Sequence, residues 1–267
     1  RLKSANLVVM FAFGLLLVIP FRSAYASPAA HVVTAHGNVQ IDTAQSKFGG
    51  ASGLFDGTGD YLSLADSDDW SFGAGDFTID FWVRFNALPA TGSGACIYSQ
   101  RVDDSNAVFL RLWNTAGTYS WQFRVTSAGA WLVNLSAGTT VAANTWYHIA
   151  LVRSGNNWYL LQLGSQLGTT TDSDAFPDFA ANVEIGIWGS VWHGLNGWLD
   201  EFRVSKGIAR WTGNFSPPTS AYVSDLSTVL LLHMDGADGS TTFTDDYYAG
   251  PASFSFNVRA GATQIVV

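Results

Sequence analysis

Only two glutamates occur in the chain, Glu184 and Glu201, against nineteen aspartates. That skew bears directly on catalysis. A retaining glycoside hydrolase needs two carboxyl groups about 5 Å apart, one as nucleophile and one as acid. On a strand this means carboxylates alternating along one face, and neither Val183-Glu-Ile-Gly-Ile187 nor Leu199-Asp-Glu-Phe-Arg203 supplies such a pair. Asp200 and Glu201 are adjacent, so period-two geometry aims them at opposite sides of a sheet. The five histidines are scattered, and no serine stands in a Gly-x-Ser-x-Gly sequence. The lone Cys96 permits no intrachain disulfide and excludes a cysteine-based zinc site. These residues argue against an enzyme and nominate no catalytic group.

Two other patterns could carry chemistry. Asp66, Asp68, Asp69 and Asp76, then Asp103 with Asp104, then Asp172, Asp174 and Asp178, and finally Asp235 with Asp238 form acidic groups in turn-like sequence. Calcium takes such oxygen ligands, although none of the groups matches the twelve-residue EF-hand loop. The competing reading is that Asp caps turns. The second pattern is arginine inside or at the end of strand-like segments, at Arg84, Arg111, Arg124, Arg153 and Arg203. If the phenylalanines beside them face a core, Arg84 and Arg124 face outward, and the same count turns Trp82 and Trp113 outward. Aromatic faces stack on sugar rings and guanidinium groups bond to their oxygens. Trp82, Arg84, Trp113 and Arg124 are therefore the candidate ligand-binding residues. Against this stands the reading that Arg–Asp pairs and tryptophans packed under loops merely hold the outer face together.

The elements that must position these residues read as strands. Phe77, Ile79, Phe81, Val83 and Phe85 alternate with Thr78, Asp80, Trp82 and Arg84, the signature of a strand with one face on a core. The alternation recurs over 108–113, 120–125, 146–152, 158–163, 183–188 and 198–204, separated by Gly, Asn, Asp, Ser and Thr at the spacing of an antiparallel sandwich. No helix-length stretch has a 3.6-residue period; the best exception, 206–211, allows a turn or two. Composition agrees, with 27 Gly, 14% aromatic and 13% charged residues. A net charge of −8 without clustered Lys and Arg excludes a nucleic-acid footprint, and the aromatic content excludes disorder.

The ends differ from the middle. Arg1 and Lys3, the apolar run Leu7–Ile19 and the motif Ala24-Tyr25-Ala26 read as a secretory signal peptide over residues 1–26. Thirteen apolar residues fall short of the roughly 20 that a membrane-spanning helix needs, so no stable span is expected after cleavage. At the other end, Val258–Ile265 echoes Val33–Ile41, which would suit the start of a second copy of a whole domain.

Four phrases in order, 47–62 (Lys-Phe-Gly-Gly-Ala-Ser-Gly-Leu-Phe-Asp-Gly-Thr-Gly-Asp-Tyr-Leu), 75–83 (Gly-Asp-Phe-Thr-Ile-Asp-Phe-Trp-Val), 144–153 (Asn-Thr-Trp-Tyr-His-Ile-Ala-Leu-Val-Arg) and 197–204 (Gly-Trp-Leu-Asp-Glu-Phe-Arg-Val), carry a resemblance. They resemble the laminin G-like, concanavalin A-like jelly rolls of bacterial surface and phage-associated proteins, over about residues 33–222. The resemblance implies an all-β, two-sheet antiparallel jelly-roll sandwich that binds glycans or proteins and often holds a structural calcium ion. It implies calcium ligands at Asp200 and Asp235, with Asp56 as a further candidate. One departure stands out. The phrase that opens the family's domain, Leu-Leu-Leu-His-x-Asp-Gly, occurs here within Val229–Gly236, after the domain. Residues 226–267 are thus either the start of a second repeat or a strand completing a jelly roll over 27–225. The expectation is a secreted, non-catalytic recognition module, lectin-like or adhesive, whose partner is a glycan or a surface protein. A structural spacer in a repetitive surface protein is the alternative, and a glycoside hydrolase the less favoured third.

Overall fold

The computed structural model describes residues 30–189 and 192–247, together with two short strands, β1 (Val9–Ala12) and β2 (Leu15–Val18), which pair antiparallel in a unit of their own. The Ala24–Ala26 cleavage motif and the Val258–Ile265 echo lie outside the described residues. The main unit consists of two antiparallel sheets. One runs in the spatial order β11 (Ala130–Thr139), β10 (Thr118–Ser127), β9 (Asn106–Thr115), β8 (Gly94–Asp103), β15 (Val183–Ile185), β6 (Tyr61–Leu64) and β3 (Val33–His36). The other runs β14 (Ser165–Thr171), β13 (Asn157–Gln162), β12 (Trp146–Ser154), β7 (Phe77–Phe85), β16 (Asn196–Lys206), β5 (Ser52–Asp56) and β4 (Gln40–Asp42), with β17 (Thr228–Leu232) also on β16. The helical content of the described residues is one 3-10 turn, Asp68–Trp70, capped by Ser67. Residues 206–211 form no helix.

Period-two alternation builds the core. Ile79, Phe81 and Val83 of β7 are fully buried between the sheets. Phe81 stacks on Phe202 of its own sheet with centroids 5.6 Å apart, and meets Trp121 of the opposite sheet edge-on at 6.3 Å. Burying one such ring contributes about 1.5–3 kcal/mol.

The β16 strand departs from strict alternation. Its register against β7 shifts between Asp200 and Arg203, and Glu201 sits at φ +53°. Leu199 and Phe202 both face the core, with two residues between them instead of one. The expectation that Asp200 and Glu201 face opposite sides is therefore corrected: a β-bulge turns both carboxylates to the outer side. The bulge lies where β16 changes partner. Asn196–Leu199 pair with Gly53–Asp56 of β5, and Phe202–Ser205 pair with Thr228–Leu232 of β17. The opening-type phrase thus lies beside the last strand of the domain, with Leu230 and Leu232 in the main core and Leu231 against Trp82 and Tyr222 on the other side. The chain then continues along the sheet edge, where Ile41 N donates to Ser240 O and Gly239 N to Ile41 O.

The outer faces of the two sheets differ. A strap formed by residues 207–225 crosses the outer face of β7, β12 and β13. Thr78 Oγ1 donates to Ile208 O, Arg210 N donates to Thr78 Oγ1, and Phe215 N donates to Gly164 O. At Gly164 a Cβ would lie 1.9 Å from the Phe215 carbonyl oxygen, so only glycine admits the strap here. Trp211 and Phe215 stack at 4.1 Å, and both stand edge-on to His148. Beneath the strap, Thr78, Asp80, His148, Ala150 and Val152 are buried although they point away from the core. The outer face of the seven-stranded sheet has no such cover from the strap.

Candidate functional site

The open face is built by β9 and β10. Val108, Leu110 and Leu112 of β9 face inward, which turns Phe109, Arg111 and Trp113 outward; Trp121, Phe123 and Val125 of β10 do the same for Gln122 and Arg124. The Arg111 guanidinium lies 4.0 Å from the Trp113 ring centroid and 4.4 Å from that of Phe109. Its Nε and Nη2 donate to Gln122 Oε1 across the strand pair, at 3.1 and 3.0 Å. Arg124 lies 4.4 Å over Trp131 and donates from Nε to Asn134 Oδ1 at 2.9 Å. Trp113 meets His193 edge-on at 5.3 Å and Phe109 meets Trp188 at 4.7 Å. Arg101 lies 5.5 Å from Trp192. Trp131 is 60% exposed and Trp192 48% exposed, high values for so large an apolar side chain. Glu184 shares this face, between inward Val183 and Ile185.

The electrostatics follow from half-burial. Desolvation pushes Arg111 down to about 10, and the charge of Arg124 adds to it while Cys96 opposes it. His193 is lowered by burial and by Arg111. Burial lifts the Cys96 thiol up to about 12, which leaves it protonated and unreactive.

The four ligand-binding candidates separate. Trp113 and Arg124 stand on the open face. Trp82 and Arg84 lie on the eight-stranded sheet, at the opposite side of the sandwich. Trp82 is outward by the count yet only 4% exposed, covered by Phe48, Tyr222 and Leu231 with Lys47 Nζ 4.0 Å over its ring. Arg84 lies over Trp198 and donates to Asn144 Oδ1. Sequence reasoning did not single out Trp131, Trp188, Trp192 or His193. Trp188 closes the 183–188 alternation read from sequence, but the strand ends at Ile185, and Trp188 and Trp192 are joined by mutual backbone bonds beyond it.

The calcium candidates also divide. Asp200 Oδ2 accepts from the amides of Lys47 and Phe48, at 2.7 and 3.1 Å. Its Oδ1 is buried and without a partner among the described residues. Burial first, then the charges of Glu201 and Asp235, push Asp200 up to about 8 against the pull of the two amides. Asp235 rests on the same turn: a Cβ at Gly49, whose φ is +65°, would lie 1.9 Å from Asp235 Oδ2. Asp56 is elsewhere, exposed, accepting from Thr58 N opposite Asn196. Glu201 is fully buried and accepts from Tyr222 N and His233 Nδ1. Among the described residues no three His, Cys, Asp or Glu side chains are grouped as a metal site. Two carboxylates on one turn, one with an orphaned oxygen, fit a hard cation that completes its shell with carbonyls and waters. Several other aspartates close turns: Asp42, Asp103, Asp172 and Asp225 each accept from the amide two residues on. Glu184 and Glu201, the two glutamates, lie on different sheets.

Among the described residues no helix is long and apolar enough to cross a membrane. A search of curated protein sequences found no match. Solved structures with the same fold include tailspike protein 2 of an Escherichia coli O157:H7 bacteriophage (TM-score 0.52, 11% identity, covering 71% of this chain and 27% of that one). The binding domain of botulinum neurotoxin serotype D/C gives 0.51 at 15% identity, covering 67% and 44%. The binding domain of Paraclostridial Mosquitocidal Protein 1 gives 0.50 at 15% identity, covering 76% and 49%. The chain thus spans half or less of each of these proteins. The profile of the concanavalin A-like lectin/glucanase superfamily matches residues 56–209, more than half of the chain, and with the two-sheet architecture this places the chain in that superfamily.

Proposed function

We propose that the chain is a non-catalytic, extracellular recognition module that binds carbohydrate on the outer face of the seven-stranded sheet. The observation that carries this reading is the asymmetry between the two outer faces. The 207–225 strap covers one face over β7, β12 and β13, whereas the other, although Ile187, Trp188 and His193 lie over Ser99, Phe109 and Cys96, presents Trp113, Trp131 and Trp192 with guanidinium groups near their rings. Sugar rings present C–H faces to aromatic rings and hydroxyls to polar side chains, so half-exposed indoles held by neighbours suit them. Placing Glu184 and Glu201 on different sheets, the latter buried, supports a binding role over hydrolysis. Two of the proteins that share the fold are toxin binding domains, which is consistent with recognition. A glycan array probed with the full chain tests this. Trp113→Ala and Trp192→Ala are each expected to weaken the best-bound glycan by about 2 kcal/mol, roughly thirtyfold, with the fold retained by circular dichroism at the temperature of the assay. Binding that survives both changes undiminished would remove this face from the account.

Calcium at Asp200 and Asp235 belongs to the same reading as a structural ion beneath the 47–51 turn. It would fix that turn against β16 and neutralise the two carboxylates. At a hundredfold excess over its dissociation constant it should add about 2.7 kcal/mol of stability, lost in Asp200→Ala. A melting temperature identical in calcium and in chelator would count against it.

A further inference from the structure

We infer that the sugar chain recognised by the open face is acidic, with a carboxylate seated at the Arg111–Arg124 pair. This rests on the carbohydrate-binding reading and narrows it. The argument begins with where the positive charges go. In a chain with 21 acidic and 13 basic residues, an arginine is expected to find a carboxylate. Arg203 takes Asp80, Arg210 takes Asp225 and Arg101 takes Asp104. Arg153, under the other sheet end, is satisfied by the carbonyls of Gly73, Gly155 and Asp174. Arg111 and Arg124 do neither; Arg84, on the other sheet, is also held by a side-chain amide, that of Asn144, so it is the adjacency of Arg111 and Arg124 that sets this pair apart. Their protein partners are the side-chain amides of Gln122 and Asn134, and among the described residues neither enters an ion pair. Neutral amides orient a guanidinium without cancelling its charge.

The two residues also lie together. Arg111 pairs with Gln122 and Arg124 with Phe109 in the β9–β10 register, so they are diagonal neighbours on one face. Such neighbours stand roughly 7–8 Å apart, and like charges there are unfavourable. Arg111 is pushed down to about 10, chiefly by burial, with the Arg124 charge a smaller contribution in the same direction. An anion between them would relieve the repulsion. Glu184 does not sit between them: along the row Glu184, Ser99, Phe109, Arg124 it lies two strands from the strand of Arg111 and three from Arg124, the latter on the order of 14 Å at about 4.8 Å per strand.

The unused donors fit a carboxylate. A guanidinium has five N–H groups in a fixed plane. Arg111 spends Nε and one Nη2 proton on Gln122, and Arg124 spends Nε on Asn134, so the terminal nitrogens of both retain donors without a protein acceptor among the described residues. Stacking on Trp113 and on Trp131 holds each plane in place before a ligand arrives, which reduces the ordering cost of binding. A planar carboxylate beside a stacked sugar ring would use the fork and the indole together.

Polygalacturonate and its fully methyl-esterified form present one backbone with and without charge, and dextran sulfate supplies an anion of different geometry on a sugar chain. Binding of the full chain is measured for each at low and at 0.5 M salt. The expected result is at least tenfold tighter binding to polygalacturonate than to the ester, weakened by salt. Arg124→Gln should remove that preference while leaving the melting temperature unchanged, and Arg124→Lys should restore it only in part because the fork is lost. Tighter binding to dextran sulfate than to polygalacturonate would overturn the carboxylate assignment. Equal affinity for acid and ester, or for wild type and Arg124→Gln, would overturn the inference while leaving carbohydrate binding intact. Binding to none of the glycans, here and on the array, would overturn both.

Discussion

Ending the chain at Asp225 is expected to abolish folding. β17 is the partner of the second half of β16, and its three leucines are essentially fully buried, two in the main core and one beneath Tyr222. Met234 and Phe243, which follow it, are buried too. At about 1.5–3 kcal/mol for each of these five side chains, their loss is on the order of 10 kcal/mol, comparable with the whole stability of a domain. The cut would also expose the β16 edge over Phe202–Ser205, a row of unpaired amides and carbonyls that invites aggregation. Circular dichroism and yield of soluble protein check this, with Leu232→Asp as a milder variant. A 1–225 fragment that stays soluble with an unchanged melting temperature would show that β17 is an appendage.

Asp80→Asn is expected to cost about 3–5 kcal/mol, because it leaves a buried guanidinium without its counter-charge. Asp80 is fully buried and accepts from Arg203 Nε and Nη2 at 3.0 and 2.9 Å, with His148 Nε2 at 3.5 Å and Tyr222 Oη bonded to the same His148 nitrogen. Burial alone would raise this carboxyl, yet the Arg203 charge and the bonds from His148 and Arg203 hold it below its ordinary value. A carboxyl depressed in the folded state contributes stability that is present above the unfolded value of about 3.9 and lost as pH falls through the folded one. Urea unfolding of Asp80→Asn, Arg203→Leu and the double variant checks the size and the coupling: the double variant should cost clearly less than the two singles combined. A single-variant loss under about 1 kcal/mol would mean that the pair is solvated.

The strands that could be read from sequence are those whose outward positions carry polar or amphipathic side chains, whether or not those positions end up covered. β7 alternates Phe, Ile, Phe and Val with Thr, Asp, Trp and Arg in residue type although nearly all of it is buried, and the fold class follows from strands of this kind. β8 escaped because Gly94–Gln100, buried on both sides, shows no such alternation in residue type. β14 escaped for the opposite reason: Ser165–Thr171 is a polar edge strand with no fully buried residue. The bulge at Asp200–Glu201 is invisible to a period-two count, since it is a backbone choice made where β5 hands over to β17. The site was half legible for a related reason. Counting turned Trp82 and Trp113 outward alike, and both do point away from the core. What covers Trp82 comes from Phe48, Tyr222 and Leu231, residues far along the chain, and no local pattern announces that cover. The unpaired state of Arg111 and Arg124 is likewise a property of neighbours on other strands.

The most direct test of the central claim is location. With the indole nitrogens labelled and the eleven tryptophans assigned by single Trp→Phe changes, titration with the best-bound glycan should shift the N–H resonances of Trp113, Trp131 and Trp192 in parallel with saturation. Shifts confined to Trp82, Trp198 or Trp211, on the opposite sheet and its strap, would contradict the assignment of the open face as the binding surface.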